Sequence, residues 1–599
     1  MKFRTVTLAL TALLSSATAH AEGFLKVEGT QIVDGSGKPV ILRGMGLGGW
    51  MLQEGYMLKL GEVGQQHKIR AKLVELVGEE RTAAFYRAWL DNHTTKADID
   101  QMAKWGFNSV RLPIHFDQLT LPADKEPKPG EDTWHEEGFQ RIDRLLEWSK
   151  ANRIWLILDL HAAPGGQGND LAISDRDPAK PSLWESAENQ RKTVALWSKL
   201  ASRYKDEPWI GAYDLINEPN WSFATPGKGN GCDETENKAV WALQQRITKA
   251  IRDVDPEHIV IIEGNCWGNN YKGLPPAWDA NMVLSFHKYW NRNDAASIAE
   301  IKALRTRTNR PIWLGESGEN SNGWYQGAIA LVEGAGIGWN FWPLKKIGFN
   351  QPLEITPGDS WMKIVQWMTA KGSKPAADEA FAAMMQLAEN TRFDNNIPKP
   401  DVIDAMLRQP HDPAHRAFKS RTLGAKPLTI AAADYDLGPP GAAYHDSVDA
   451  NYHVATGGER TPWNNGTTYR NDGVDIAREP DGTPYVTDFV SGEYMRYSAD
   501  VARAGRWTVS ARARSAKGGR IGIDERGVAI PHGTAWQTIT LADADLPAGP
   551  GTATLRAFDC SDCEIAEIVF TPRWPEPNAP MCVLFAQAEG RAVEDVSCP

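Results

Sequence analysis

Short apolar runs alternate with amphipathic stretches from about residue 39 to residue 342, and this alternation constrains the fold more than any other feature of the sequence. Amphipathic stretches with apolar residues at helical spacing include 136–151, 188–204, 236–253 and 295–307. Repeated strand–helix units over roughly 300 residues predict a closed (β/α)8 TIM barrel of the α/β class, with an open doubly wound sheet as the alternative. The runs with the length of buried strands are 39–46, 107–112, 154–160, 209–216, 258–263, 282–287, 311–315 and 337–342.

The character of the sequence changes after Leu428. Long amphipathic helices give way to short alternating runs separated by Gly, Asp and Asn, which is typical of a β-sandwich of the jelly-roll type. We therefore predict a barrel domain over 22–425 with a helical extension at 360–423, a β-sandwich over 426–572 and a Cys-containing tail over 573–599.

The first 21 residues have the features of a signal peptide. Lys2 and Arg4 precede the apolar run 6–14, and Ala19-His20-Ala21 fits cleavage before Glu22. The apolar run is too short to span a bilayer. We expect a secreted or periplasmic protein without a membrane span, whose six cysteines form disulfides of undetermined connectivity.

Composition restricts the class of partner. The net charge is −11 and no run of Lys or Arg forms a phosphate-binding stripe, so we expect no nucleic acid partner. No Gly-rich phosphate-binding motif follows the predicted strands, which argues against a nucleotide site. The 24 tryptophans offer flat apolar faces of the kind on which sugar rings stack. We expect a monomer that acts on a saccharide.

The C-terminal ends of six predicted strands bring reactive side chains to one rim of the barrel. Any one of these residues alone would more often have a structural role. Core packing does not require so many polar groups at equivalent positions, whereas a parallel barrel places its chemistry at this rim. The residues are Arg111, His161, Asn217, Glu218, His287, Tyr289, Glu316 and Trp342.

Two glutamates, Glu218 and Glu316, end the fourth and seventh strands. Retaining glycoside hydrolysis uses two carboxyl groups about 5–5.5 Å apart, one as nucleophile and one as acid/base, with separated pKa values. We expect Arg111 and Tyr289 to keep Glu316 ionised, and Glu218 to occupy a more buried and less cationic setting that keeps it protonated. Asn217 offers an amide to a sugar hydroxyl, and Trp342 offers a stacking surface.

The barrel, over residues 24–345, resembles glycoside hydrolase family 5, the cellulase-like members of the retaining (β/α)8 hydrolases. The resemblance implies Glu218 as acid/base, Glu316 as nucleophile and Asn217 on the 2-hydroxyl of the sugar at the cleavage point. It implies a supporting shell of Arg111, His161, His287 and Tyr289, an aromatic platform at Trp342, and no cofactor or metal. It rests on the segments 43–50, 111–113, 159–161, 217–219, 287–289 and 315–316 and on Trp342.

Within this family, Leu47-Gly48-Gly49-Trp50 with Glu54, and the segment 161–167, look closest to the exo-acting β-1,3-glucanase branch. This resemblance places Glu54 at the substrate. Two departures concern the substrate subsites: Gly55 stands where the branch has a proline after the glutamate, and residues 60–95 are longer than expected and helical in pattern.

The sandwich resembles carbohydrate-binding module family 6 through the segments 433–438, 443–446, 469–476 and 491–497. The resemblance implies a sugar-binding domain, with Trp463, Tyr469 and Phe489 as candidate stacking aromatics. Such modules often hold a structural calcium ion through glutamates of the first strand. Ala431 and Ala433 occupy those positions here and disfavour calcium.

The sequence therefore predicts an exported retaining β-glucanase that hydrolyses β-1,3- or β-1,4-linked glucan, in endo or exo fashion, by double displacement. A retaining hydrolase of mannan, xylan or glycosylceramide is the alternative among enzymes. A non-catalytic carbohydrate-binding protein is the alternative of another class, and the intact pair Glu218 and Glu316 argues against it.

Overall fold

The computed structural model describes residues 23–289, 291–447, 469–523 and 525–573. The predicted signal peptide and the tail beyond residue 573 lie outside the described residues. The eight predicted barrel strands are all observed, and they close into a parallel barrel in which β8 pairs with β1, so the predicted TIM barrel is confirmed. The strands are β1 (Arg43–Gly46), β2 (Ser109–His115), β3 (Trp155–Ala162), β4 (Ile210–Asp214), β5 (Ile259–Glu263), β6 (Met282–Lys288), β7 (Ile312–Ser317) and β8 (Gly338–Phe341).

Helices surround the barrel and bury its outer face. Both faces of a parallel strand are covered in this architecture, which is why the strands are continuous apolar runs rather than alternating ones. Trp197 and Ile247 on the surrounding helices share one apolar core with strand residues such as Leu158 and Ile262. The helices are α1 (Gln66–Val77), α2 (Glu79–Asn92), α3 (Lys96–Trp105), α4 (Glu136–Ala151), α5 (Ala187–Tyr204), α6 (Lys238–Arg252), α7 (Ala299–Thr308), α8 (Asn322–Gly334), α9 (Asp359–Met368), α10 (Ala377–Asn390) and α11 (Pro400–Leu407).

Helices from the segment 60–95 pack against helices from the extension 360–423. Trp89 of α2 lies in one apolar cluster with Trp361 of α9 and Met384 of α10. Leu58 and Leu60, from the loop after β1, join the same cluster. The long β1 loop is thereby held at the rim of the barrel where the predicted site residues lie.

The C-terminal region consists of two sheets that share one apolar core, in which Trp507 is fully buried. The strand order is β9-β14-β19-β16-β17 in the first sheet, where β11 also pairs with β14, and β12-β13-β20-β15-β18 in the second, where β10 also pairs with β20. The strands are β9 (Thr422–Leu423), β10 (Leu428–Ala431), β11 (Tyr444–His445), β12 (Ile476–Arg478), β13 (Pro484–Phe489), β14 (Tyr494–Val501), β15 (Gly505–Ser515), β16 (Gly519–Ile523), β17 (Val528–Ile530), β18 (Gly533–Leu546), β19 (Gly549–Ala557) and β20 (Cys563–Pro572).

Two disulfides lie within the described residues. Cys232–Cys266 links the loops that follow β4 and β5, and Cys560–Cys563 closes a turn before β20. Cys582 and Cys598 fall outside the described ranges. No helix that the structure describes has the length and hydropathy needed to cross a membrane.

Candidate active site

Glu218 lies four residues beyond the end of β4, in a left-handed backbone conformation with φ of 43°. This conformation is unfavourable for a residue with a side chain. The main-chain N–H of Glu218 donates a hydrogen bond to Glu263 Oε2 at 2.7 Å, and both groups are buried. Glu263 at the end of β5 therefore fixes the turn that directs Glu218 into the barrel mouth.

Glu218 and Glu316 meet across that mouth, with the ring of His287 beside them. The three side chains bring one polar atom each to within 4.8 Å of one another. His287 and Glu316 occupy paired positions on β6 and β7, so the register of the sheet sets their proximity. Only 5% of Glu218 and 6% of Glu316 is exposed. The pair predicted from the strand ends is brought together.

Glu316 lies among hydrogen-bond donors and positive charge. Arg111 Nη1 donates to Glu316 Oε2 at 2.9 Å, and the Tyr289 hydroxyl donates to Oε1 at 2.6 Å. Burial favours the neutral acid, but His287, Arg111 and His161 outweigh it and lower the pKa of Glu316 below its ordinary value. Glu316 is therefore an anion with both oxygens held in place.

Glu218 has the opposite setting. Burial raises the pKa of Glu218 to about 7, although His287 Nδ1, 2.6 Å from Oε1, opposes the shift. The predicted burial of Glu218 is observed. The prediction that its surroundings are less cationic is wrong, because His287 is its direct neighbour. Burial lowers the pKa of His287, and Glu263 and Glu218 more than offset it, so the imidazole is charged. The two glutamates thus hold different protonation states near neutral pH.

Arg111 is the centre of the polar layer beneath the pair, and it is fully buried. Its guanidinium lies within 3.3 Å of carboxylates from β3, β4, β5 and β7 and also donates to Asn217 Oδ1 at 2.8 Å. A buried arginine needs such partners, because an unpaired buried charge is costly. Sequence reasoning missed three of these carboxylates as site residues, although each one occupies a predicted strand end: Asp159, Asp214 and Glu263.

His161 connects this layer to the β1 loop. Its Nδ1 lies 2.8 Å from Asp159 Oδ2, and its Nε2 lies 3.6 Å from Glu54 Oε1. Burial lowers the pKa of His161, but Asp159 and Glu54 more than offset this effect and raise the pKa to about 10. Burial also raises the pKa of Glu54, against the pull of His161. Glu54 therefore lies beside His161, and its predicted contact with substrate stays a prediction.

Trp342 lies against His161, with ring centroids 5.0 Å apart and an interplanar angle of 8°. Its indole N–H donates to the Tyr56 hydroxyl at 2.8 Å, and only 3% of the residue is exposed. A Cβ atom at Gly46 or Gly48 would come within 2.8 or 2.4 Å of the Trp342 ring. These glycines of the β1 segment are thus required by the close approach of the indole. Tyr56 was not predicted from the sequence.

Two of the three candidate stacking residues of the sandwich lie within the described residues, and both make contacts inside the protein. Phe489 is 2% exposed within the apolar core, and the Tyr469 hydroxyl donates to Asp434 at 2.6 Å. Trp463 lies outside the described residues. Ala431 pairs with Glu567 in the sheet, and the described part of the sandwich contains no cluster of three His, Cys, Asp or Glu side chains close enough to hold a metal ion.

The chain is similar in sequence to known glycoside hydrolases. Residues 70–347 match the sequence model of the cellulase family, glycosyl hydrolase family 5. A β-xylosidase of Phanerodontia chrysosporium is 29% identical over 395 residues, which cover 59% of this chain and 78% of that protein. Endoglucanase C of Acetivibrio thermocellus is 34% identical over 208 residues, or 34% of this chain and 53% of the endoglucanase. A probable glucan 1,3-β-glucosidase A of Aspergillus niger is 28% identical over 185 residues, or 31% of this chain and 42% of the glucosidase.

Solved structures include similar chains. Endoglucanase Cel5A from Thermotoga maritima aligns with a TM-score of 0.34 and 18% identity, over 49% of this chain and 90% of its own. A β-glucanase from Saccharophagus degradans aligns with a TM-score of 0.38 and 16% identity, over 64% of this chain and 98% of its own. This chain spans about half of the length of endoglucanase C and of endoglucanase C307, which it matches in sequence. The match to the model of glycosyl hydrolase family 5 covers residues 70–347, and the protein is a glycoside hydrolase.

Proposed function

We propose that this glycoside hydrolase is a retaining β-glucanase, with Glu316 as nucleophile and Glu218 as acid/base. The observation that supports the assignment is the opposed setting of the two carboxyl groups within 4.8 Å of each other. Glu316 has a lowered pKa and Glu218 a pKa raised to about 7. A short separation of this order suits a covalent intermediate, because an inverting enzyme needs room for a water between its carboxyl groups.

In the first step, a Glu316 oxygen attacks the anomeric carbon of the bound sugar. The bond from that carbon to the leaving-group oxygen breaks, and Glu218 gives its proton to the departing oxygen. Arg111 and Tyr289 hold the Glu316 carboxylate, which aims the attacking oxygen and limits its motion. A glycosyl ester on Glu316 is formed.

In the second step, Glu218 is an anion and takes a proton from water. The water oxygen adds to the anomeric carbon, and the ester bond to Glu316 breaks, which restores both carboxyl groups and retains the configuration. The charged His287 at 2.6 Å stabilises the Glu218 carboxylate between the two steps. It keeps the pKa of Glu218 near 7, where the group can act as acid and then as base.

The remaining predicted residues surround the sugar at the cleavage point. Asn217 Oδ1 accepts from Arg111, and its amide nitrogen, which lies 3.3 Å from His161 Nε2, is the group that would donate to a sugar hydroxyl. His161 and Glu54 offer a charged donor and an acceptor to other hydroxyls. Trp342, which packs against the β1 glycines and against His161, forms a wall of this subsite. No cofactor enters these steps.

β-Glucan is the proposed substrate class, with the linkage and the endo or exo mode open. The relatives named endoglucanase and glucan 1,3-β-glucosidase support a glucan. The relative named β-xylosidase, of which this chain covers 78%, favours a β-xyloside as a second candidate. We further propose that the chain is exported and acts as a monomer, and that the sandwich binds polysaccharide and concentrates the barrel on it.

Product analysis tests this proposal. The purified protein is incubated with β-1,3-glucan, β-1,4-glucan, xylan and mannan, and the anomeric configuration of the first product is followed by proton NMR. We expect β-products from a glucan before mutarotation. α-Products would contradict double displacement, and activity confined to xylan or mannan would replace the substrate assignment.

A further inference from the structure

The sandwich contacts the barrel through Asn471, a fully buried residue on the loop before β12. Its main-chain N–H donates to Asp401 Oδ2 at 2.7 Å, and its carbonyl accepts from the Asn322 N–H at 2.8 Å. Its side-chain amide donates to the carbonyl of Asn320 at 2.9 Å and to Asn322 Oδ1 at 3.0 Å. One sandwich residue is thus bonded to the loop and helix that follow β7.

The Asn320 segment leads directly to the active site. Asn320 lies four residues after Glu316 and is fully buried. Its side-chain amide donates to the main-chain carbonyl of Tyr289 at 3.3 Å. The Tyr289 hydroxyl in turn donates to Glu316 Oε1 at 2.6 Å. A continuous series of hydrogen bonds therefore runs from the sandwich to one oxygen of the carboxylate pair.

We propose that Asn471 of the sandwich is a positioning residue for Glu316, acting through Asn320 and Tyr289. The inference rests on the proposed role of Glu316 as nucleophile. It makes the sandwich part of the catalytic unit, in addition to any binding of polymer. Hydrolysis of small soluble substrates, which cannot engage a distant sugar site, therefore depends on the sandwich as well.

Two other contacts provide matched controls, because they do not lead to Glu316. Arg416 lies in the segment between α11 and β9 and pairs through its main chain with Leu437 of the sandwich; its side chain forms an ion pair with Asp404 of α11 at 2.5 Å. The buried Tyr497 hydroxyl donates to the carbonyl of Ala432 at 2.8 Å within the sandwich. Arg416→Gln weakens the attachment of the domains, and Tyr497→Phe weakens the sandwich itself, without touching the Asn471 series.

The experiment measures kcat and KM of the full-length protein on the 4-nitrophenyl β-glycoside that the wild-type enzyme hydrolyses fastest. Asn471→Ala removes two donated hydrogen bonds. We expect kcat to fall about tenfold, less than the roughly hundredfold that a 1 Å misplacement can cost, with KM little changed. Both control variants are expected to keep the wild-type kcat. Asn471→Asp is the second variant, because it keeps the side-chain volume and replaces the donor by an acceptor.

The acidic limb of the kcat/KM profile reports on Glu316. The groups that face it are Arg111, His161, His287, Tyr289, Glu218 and Glu54. The Tyr289 hydrogen bond lowers the pKa of Glu316, so loss of its support is expected to move the acidic limb to higher pH. A role limited to domain docking would leave this limb unchanged.

A double-mutant cycle identifies the route. In the Tyr289→Phe background, Asn471→Ala is expected to add little further loss of kcat, because the shared link is already cut. Additive losses, or a wild-type kcat and acidic limb in both Asn471 variants, would overturn the inference. Glu316→Gln is assayed in parallel. If Glu316→Gln retains turnover, the proposed function itself is rejected. If Glu316→Gln is inactive and the Asn471 variants keep the wild-type kcat, only the positioning role is rejected.

Discussion

Glu218 and Glu316 approach within 4.8 Å of each other while their environments shift their pKa values in opposite directions. The opposite pKa shifts arise because the two carboxylates have different neighbours. Glu316 receives two hydrogen bonds, from Arg111 and Tyr289, whereas among the described residues only His287 lies within hydrogen-bond distance of the Glu218 carboxylate. Separated pKa values in a close carboxyl pair allow one group to attack while the other carries a proton.

Replacement of either carboxylate is expected to abolish most activity. Glu316→Gln and Glu218→Gln should each lower kcat by roughly three orders of magnitude or more, since each removes a group that acts in the transition state. Steady-state kinetics on an aryl β-glycoside measures the loss. Azide should restore turnover to Glu316→Gly with an inverted product, because it occupies the nucleophile's place. Near-normal turnover of either Gln variant would refute the assignment.

The pH dependence of kcat/KM follows from the two carboxyl groups. Glu218 must be protonated, so activity is expected to decline as the pH rises through about 7. Glu316 must be ionised. Because its pKa is lowered below the ordinary glutamate value of 4.5, activity is expected to be lost only at pH values below that. His287→Asn removes a charge that lowers the pKa of both glutamates, and both limbs should therefore shift to higher pH.

The control for that shift is His258→Asn. His258 is buried, lies directly before β5, at the opposite end of that strand from Glu263, and its Nδ1 is 2.6 Å from Asp255 Oδ2. Its profile should keep both limbs at the wild-type positions. Limbs that stay in place or move to lower pH in His287→Asn would contradict the electrostatic assignment.

Much of the barrel could be predicted because its strands are buried on both faces and end in polar residues at one rim. The partners beneath the rim were harder to assign. Glu263 ends a predicted strand, but its contact with the Glu218 main chain depends on the left-handed turn at Glu218. The bond from Asn471 to Asn320 joins residues 151 positions apart, and neither apolar periodicity nor a motif marks it.

The close contact between the β1 glycines and Trp342 predicts a steric effect. Gly48→Ala places a Cβ within 2.4 Å of the indole, so we expect the ring to be displaced and kcat/KM to fall at least tenfold, on the scale of roughly hundredfold per 1 Å of misplacement. Gly61→Ala, in the same loop region but with no atom within 4 Å of the added Cβ, is the matched control. Equal activity of the two variants would mean that Trp342 does not contribute to the site.

The two disulfides are expected to differ in both stability and activity. Loop-closure entropy assigns about 4 kcal/mol to Cys232–Cys266, with a sequence separation of 34, and about 1.5 kcal/mol to Cys560–Cys563, with a separation of 3. The first bridge also holds the turn in which the Trp267 N–H donates to the Pro219 carbonyl at 3.1 Å, beside Glu218.

Paired Cys→Ser variants test this difference by calorimetry and kinetics. The 232/266 variant should lose the larger share of thermal stability and also lose kcat. The 560/563 variant should lose a smaller amount and retain kcat. A reversed order of stability, or full activity in the 232/266 variant, would show that this bridge does not support the Glu218 loop.

Trapping of the glycosyl-enzyme identifies the residue that acts as nucleophile. A 2-deoxy-2-fluoro β-glycosyl fluoride has a good leaving group and a destabilised oxocarbenium-like transition state, so the intermediate forms and then hydrolyses slowly. Mass spectrometry of the digested protein should find one added fluoroglycosyl group, on the peptide that contains Glu316 and at that residue. A label on Glu218 or on any other residue, or an unlabelled protein that releases inverted product, would contradict the assignment of Glu316 as nucleophile.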